Sequence, residues 1–212
     1  MNKYIVGLDL STKCSGYALF NFEGNLIDFQ KIKPKTTLST LGKIDSILNG
    51  LYLLLSKNSD YIKKIVIEDI YLGYFRGANQ VKGFATLARL SGAVIADICS
   101  IIPDSIDDLI ILRNASEARP LVKLKGNCQK AEVQVWALKN FTDIDISNYE
   151  CLIEAIKAKK QVKDIPHKVY KDRMNKISKL IEQETDFDEN ISDAILLGYG
   201  EVLKQKNLTP NN

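Results

Sequence analysis

The chain has 212 residues, 45% of them hydrophobic and 26% charged, which is enough apolar side chain to bury a full core and argues against disorder. Its 29 Lys and Arg against 26 Asp and Glu leave a formal charge of only +3, so no extreme basic or acidic character marks the chain as a whole. No run of about 18 apolar residues occurs and the N-terminus enters a strand directly, without the regions of a signal peptide, so an intracellular protein with no membrane partner is expected.

Residues 3 to 10 alternate and then run apolar as a first strand. "GYALFNF" at 16 to 22 continues as a second, and "EGN" at 23 to 25 turns into a third, "LIDFQKI", giving an antiparallel meander. Helical spacing follows through Leu41, Ile44, Ile47, Leu48, Leu51 and Leu55. "KKIVIEDI" reads as a buried strand, a long helix is predicted from about 79 to 100, "DLIILRNA" as a further strand, and "CQKAEVQVWALKNF" as a helix. Residues 142 to 185 lack strand signals and read as a helical insertion, with Pro166 between its two halves. The closing helix, "DENISDAILLGYGEVLKQK", begins with acids and ends with lysines, as the helix dipole favours. Three strands followed by alternating helix and strand predict an α/β domain with a mixed sheet.

Charge is unevenly placed. Between Lys157 and Lys179 nine Lys or Arg are opposed by two acids, Asp164 and Asp172, and a second cluster gathers Arg113, Arg119, Lys123, Lys125 and Lys130 against Glu117 alone. Such stretches fit a polyanionic partner that neutralises them, or equally a solvated helix face. Within the long helix, Ala85, Ala88, Gly92 and Ala96 form a flat stripe suited to close approach, either of the chain's own sheet or of another helix. Cys14, Cys99, Cys128 and Cys151 lie far apart with no CxxC pair, and His167 is the only histidine. Zinc sites and histidine-based triads therefore lose support, and reduced thiols are expected.

The informative residues are carboxylates in apolar company. Asp9 sits between Leu8 and Leu10, Glu68 follows "IVI", and Asp193 shares a helical side with Leu196 and Leu197, while Ile191, Ile195, Tyr199 and Val202 take the opposite side. An unpaired buried carboxylate costs on the order of several kcal/mol. Taken singly, each has an ordinary explanation: a loop cap, a strand end, a dipole partner. Taken together they suit hard divalent cations, two of which roughly 4 Å apart activate water and stabilise a leaving oxygen in phosphodiester hydrolysis.

"GLDLSTKCSGYALF", "VIEDIY", "QVKGFATLARLSGAVIADI" and "SDAILLGYG" resemble, in order and spacing, the first strand, fourth strand, following helix and last helix of RuvC-type Holliday junction resolvases. The likeness spans residues 3 to 141 and 188 to 204. It implies an RNase H-like fold over 1 to 212, with a mixed five-stranded sheet flanked by helices and a basic helical insertion at about 142 to 185. It further implies a homodimer that nicks four-way DNA junctions using two Mg²⁺, for which Mn²⁺ can substitute. Asp9, Glu68 and Asp193 are the implied metal ligands. Arg119 and Lys130 match basic residues near the scissile phosphate, with Lys123 and Lys125 in the same DNA-binding cluster, and Tyr71 matches an aromatic that holds an unpaired base. Tyr74 and Phe75 could also stack on such a base, or "YLGYF" could be a packed loop.

Two departures stand out. Where the family has an Asp or His three residues before the last acid, this chain has Asn190. Glu189, at i−4 from Asp193, lies on the same helical face and is expected as the fourth ligand. The insertion is also longer than the typical bacterial connection, a variation found among phage-encoded relatives, so a phage or prophage protein acting in the bacterial cytoplasm is expected. Two other classes compete. An actin-like ATPase or sugar kinase would use "GLDLSTKCSG" as a phosphate loop through Ser11 and Thr12, although no second glycine-rich phosphate segment is visible. A non-catalytic junction-binding protein of the same fold would suit the Asn190 departure.

Overall fold

The computed structural model describes residues 3–70, 78–102, 106–162 and 164–208. Five strands, β1 (Tyr4–Asp9), β2 (Ser15–Asn21), β3 (Leu26–Ile32), β4 (Ile62–Glu68) and β5 (Ile110–Arg113), form one sheet in the order β3-β2-β1-β4-β5. The first three pair antiparallel as a meander, and β4 and β5 add in parallel to β1, which gives the mixed sheet expected from the order of elements.

Helices cover both faces, and strand alternation decides which residue meets which layer. Val6 and Leu8 of β1, Tyr17 and Leu19 of β2, and Ile65 and Ile67 of β4 share one core cluster with α1 (Thr40–Leu55) and α2 (Ala78–Ile101). Ile5, Ala18, Phe20 and Val66 point the other way, into a cluster with α4 (Ala115–Leu121), α5 (Lys130–Phe141) and α8 (Glu189–Leu208). A single turn of helix, α3 (Ile106–Leu109), leads into β5. By the same parity Gly7, Asp9, Gly16, Glu68 and Arg113 belong to the α8 face.

The insertion is helical, as its pattern predicts: α6 (Ser147–Gln161) and α7 (His167–Thr185). Ile153 of α6 and Tyr170, Met174 and Ile181 of α7 join the α8-side cluster rather than forming a core of their own.

Two sequence expectations need correction, and one open alternative is narrowed. Leu41 is 74% exposed, because the first turn of α1, capped by Ser39 Oγ accepting from Gly42 N at 3.1 Å, precedes the part that packs on the sheet. Helix α8 does not divide into two sides. Ile191, Ala194, Ile195, Leu196, Leu197 and Val202 are all buried, since the helix lies between the sheet on one flank and α4 and α5 on the other. The stripe on α2 does not face the chain's own sheet. Leu90, Val94 and Ile98 do that, while Ala88, Gly92 and Ala96 are exposed and a side chain at Gly92 would meet nothing within 4 Å. Residues Val81–Ile101 are also long and apolar enough on average to cross a membrane, a property that a search for unbroken apolar runs misses because Arg89, Ser91 and Asp97 interrupt the segment. Its buried line of Leu90, Val94 and Ile98 makes it a covering helix of this domain.

Two glycines set how closely α8 approaches. A Cβ at Gly7 would fall closer than 3.0 Å to the backbone of Ala194 and Gly198, and one at Gly16 would do the same to Asn190 and Ile191. Because Gly16 is the register partner of Asp9, the close contact at Gly16 delivers the N-terminal turn of α8 directly beside that carboxylate.

Candidate active site

Asp9 ends β1 and Glu68 ends the adjacent parallel strand β4, one residue beyond the Leu8–Ile67 pair, so both carboxylates reach the same end of the same face. Asp193 comes down onto them from α8, and the three act on one another electrostatically. Burial first, then the charges of Glu68 and Asp193, hold the Asp9 carboxyl well above the ordinary carboxylate range, and Asp9 and Glu68 are close enough to share a hydrogen bond. Asp193 is pushed up to about 7, by burial and then by Glu68, with Arg119 and Lys130 pulling the other way.

The N-terminal turn of α8 uses each of its acids differently. Asp188, buried, caps the helix: its Oδ1 accepts from Ile191 N at 3.0 Å and its Oδ2 accepts from the Cys14 thiol at 3.0 Å. Burial and that hydrogen bond push the thiol up to about 12, so Cys14 stays protonated and donates. Glu189 pairs with Lys130 at 2.6 Å and raises Asp193. Asn190, with its amide nitrogen turned inward, donates to Asp9 Oδ2 at 3.1 Å and to the Cys14 carbonyl at 3.2 Å. The two candidates for a fourth ligand are therefore separated in space: Glu189 on the Lys130 side, Asn190 in contact with Asp9.

Arg119 leaves α4 toward the cluster, its Nη1 donating to Gly126 O at 2.9 Å while its Nε is buried without a partner among the described residues. Lys130, the first residue of α5, also acts on Asp9 and Asp193. Asp9, Glu68, Asp193, Glu189, Lys130 and Arg119 thus come together. Lys123 and Lys125 do not join them but line a neighbouring cleft, and Tyr71, Tyr74 and Phe75 lie outside the described residues.

Among the described residues, no three Asp, Glu, His or Cys side chains converge tightly enough to surround a single ion. The donor set fits metal as pairs instead. Two carboxyls in hydrogen-bond contact, one of them Asp9 with its raised proton affinity, need either a shared proton or a cation between them.

The β1–β2 turn is poorly suited to cradling phosphate. Ser11 N donates to Ser15 Oγ at 3.1 Å, Lys13 N donates to Ser11 Oγ at 3.3 Å, and Ser15 Oγ donates to Ser11 O at 3.0 Å, so two of its amides are already committed inside the loop.

Sequence patterning does not reveal the Asp188 cap, the Asn190 contact with Asp9, or the buried ion pair between Arg113 of β5 and Glu201 of α8. The last lies on the α8 face beside Glu68, its register partner, and ties the helix to the sheet edge. Asp188, read from the sequence as the first residue of the closing helix, stands just before it as its cap, and the run of acids opening that helix was the available signal.

No family model matches the chain, and no curated protein sequence matches it. Solved structures do. Thermus thermophilus RuvC superposes with a TM-score of 0.56 at 10% identity, covering 97% of each chain. The same organism's RuvC in complex with a Holliday junction substrate gives 0.53 at 7% identity, covering 97% of this chain and 96% of that one. A Fowlpox virus resolvase in complex with Holliday junction DNA gives 0.47 at 15% identity, covering 97% and 99%. The fold is thus the RNase H-like one seen in RuvC.

Proposed function

We propose that this chain is a structure-selective DNA endonuclease that hydrolyses phosphodiesters in four-way or other branched junctions. The observation that carries the reading is the cluster of Asp9, Glu68 and Asp193, in which burial and mutual repulsion raise the proton affinity of Asp9 and Asp193, placed beside Lys130 and Arg119 at one end of an RNase H-like sheet. RuvC of the same fold has been captured with a Holliday junction substrate, which supports branched DNA as the partner.

Asp9, Glu68, Asp193 and Glu189 would hold two Mg²⁺, which when bound supply an activated water and charge stabilisation at the leaving oxygen. The protein's own part is separate. Asn190 fixes the Asp9 carboxylate against the Cys14 carbonyl. Cys14 and Asp188 lock the β1–β2 turn to the start of α8, which sets the spacing between Asp9 and Asp193. Lys130 exchanges its pairing with Glu189 for the phosphate, and Arg119 offsets the charge that develops on it. A panel of four-way, three-way, flap and linear duplex DNA tests the reading: paired symmetric nicks in the four-way substrate with Mg²⁺ are expected. Binding without scission in either Mg²⁺ or Mn²⁺ decides for a non-catalytic junction binder, and equal cutting of linear duplex removes the structure selectivity.

Symmetric nicking requires two active sites, and the exposed stripe of α2 is the surface on which we place a two-fold dimer. Gly92→Arg puts a charge into that contact and is expected to weaken self-association on the order of 100-fold, since an unpaired charge at a helix contact costs several kcal/mol. Sedimentation velocity reads it. An unchanged sedimentation coefficient for a dimeric variant places the dimer interface elsewhere.

A further inference from the structure

Beside the acid cluster lies a concavity of about 630 Å³. Its walls come from the turn between α4 and α5, the start of α5, and the two inserted helices. Lys157 of α6 is bound on both sides, to Glu132 at 2.9 Å and to Glu154 at 3.0 Å, so its charge is spent fastening α6 to α5. The three remaining lysines of the lining, Lys123, Lys125 and Lys160, are exposed and form no ion pair among the described residues. Four lysines against Glu132 and Glu154 leave the lining at plus two.

These cations are placed by the fold. The Lys160 ammonium sits 4.0 Å above the ring of Tyr170, which α7 supplies and which is itself buried. Lys123 is held at a φ of 64°, the left-handed conformation that closes the end of α4 and costs a non-glycine residue about 1 kcal/mol or more. The concavity also adjoins the candidate active site. Arg119 grips Gly126 in the turn that carries Lys125, and the Cys128 thiol in the cleft lining feels both Arg119 and Asp193.

We propose that this cleft is a track for the DNA sugar-phosphate backbone flanking the cleaved phosphate, with the inserted helices as its outer wall. The inference rests on the nuclease reading and assigns to the insertion the job of holding that strand. Lys125 and Lys160 contact phosphates from opposite walls, and Lys123 stands at the mouth.

The test compares wild type, Lys125→Ala with Lys160→Ala, and Lys123→Gly, which suits the left-handed backbone and keeps the fold. A control, Lys171→Ala with Lys176→Ala, removes the same charge from exposed positions of α7 that do not line the cleft. Binding of a fluorescent four-way junction is measured by anisotropy across a salt series without divalent cation, and thermal melting verifies folding. The double cleft variant is expected to reduce the slope of log K against log salt by about two units and to weaken binding on the order of 10-fold or more near 0.1 M salt. Lys123→Gly is expected to reduce the slope by about one unit, and the control to leave it unchanged. Cleft variants that bind like wild type, or a control that loses as much as they do, overturn the track while leaving the nuclease reading intact if the wild type cuts the junction. Wild-type protein that neither binds nor cuts branched DNA overturns both.

Discussion

Replacing Asp193 with asparagine is expected to abolish junction cleavage, by roughly 10³-fold or more, and at the same time to stabilise the metal-free protein at neutral pH. The two effects have one cause. In the folded chain Asp193 is pushed up to about 7 and Asp9 is raised as well, so the native state holds protons more tightly than the unfolded chain, whose carboxyls titrate near 4. A raised folded pKa gives stability that is fully present below the unfolded value and is lost as pH climbs through the folded one. Without divalent cation, the wild type should therefore lose stability between about pH 4 and pH 7, on the order of 1–4 kcal/mol, the lower part of that range allowing for the partial exposure of Asp193. Asparagine removes the repulsion, so its melting temperature should exceed that of wild type at pH 8 in EDTA and differ little at pH 4. Mg²⁺ should restore the wild type at pH 8 and help the variant less. A variant that melts lower than wild type at pH 8 would mark Asp193 as a structural acid, and full cleavage by it would end the catalytic assignment.

Gly7→Ala should prevent folding. One methyl group there would collide with the carbonyl oxygen of Ala194 and the amide of Gly198, both of them backbone, so relief requires moving α8 off β1. Since α8 carries much of the larger core cluster, a cost above about 4 kcal/mol is expected, comparable to the whole stability of a marginal domain. The same substitution at Gly92 meets nothing within 4 Å and sits inside a helix, where alanine is favoured by up to about 1 kcal/mol. Chemical denaturation of the two variants separates close approach from generic glycine effects. A soluble Gly7→Ala protein with a wild-type transition would mean that α8 does not ride on β1 as closely as described.

Much of this arrangement follows from periodicity. Strand parity puts Asp9 and Glu68 on one face, and the mixed sheet follows from three strands preceding the first helix. What periodicity does not encode is how α8 lies across the sheet. The meeting of Asn190 with Asp9, of Cys14 with Asp188 and of Arg113 with Glu201 links residues 88 to 181 positions apart, through a helix position set by Gly7 and Gly16. The reading of α8 as two-sided failed for the same reason, because a helix sandwiched between layers buries its whole circumference and erases the 3.6-residue contrast. Helix α4 escaped notice because seven residues, with Pro120 among them, are too few to establish a period.

The candidate site draws its acids from β1, β4 and α8, and α8 comes after every other element of the fold. During translation, Asp9 and Glu68 emerge long before Asp193, and they wait through the making of about 125 further residues, many seconds at ordinary elongation rates. A chain still on the ribosome has its sheet strands and basic helices but no complete set of carboxylates, so under the proposed function it binds nucleic acid without cutting it. On the nuclease reading, cleavage competence arrives only once α8 is made, because no earlier element supplies the third carboxylate.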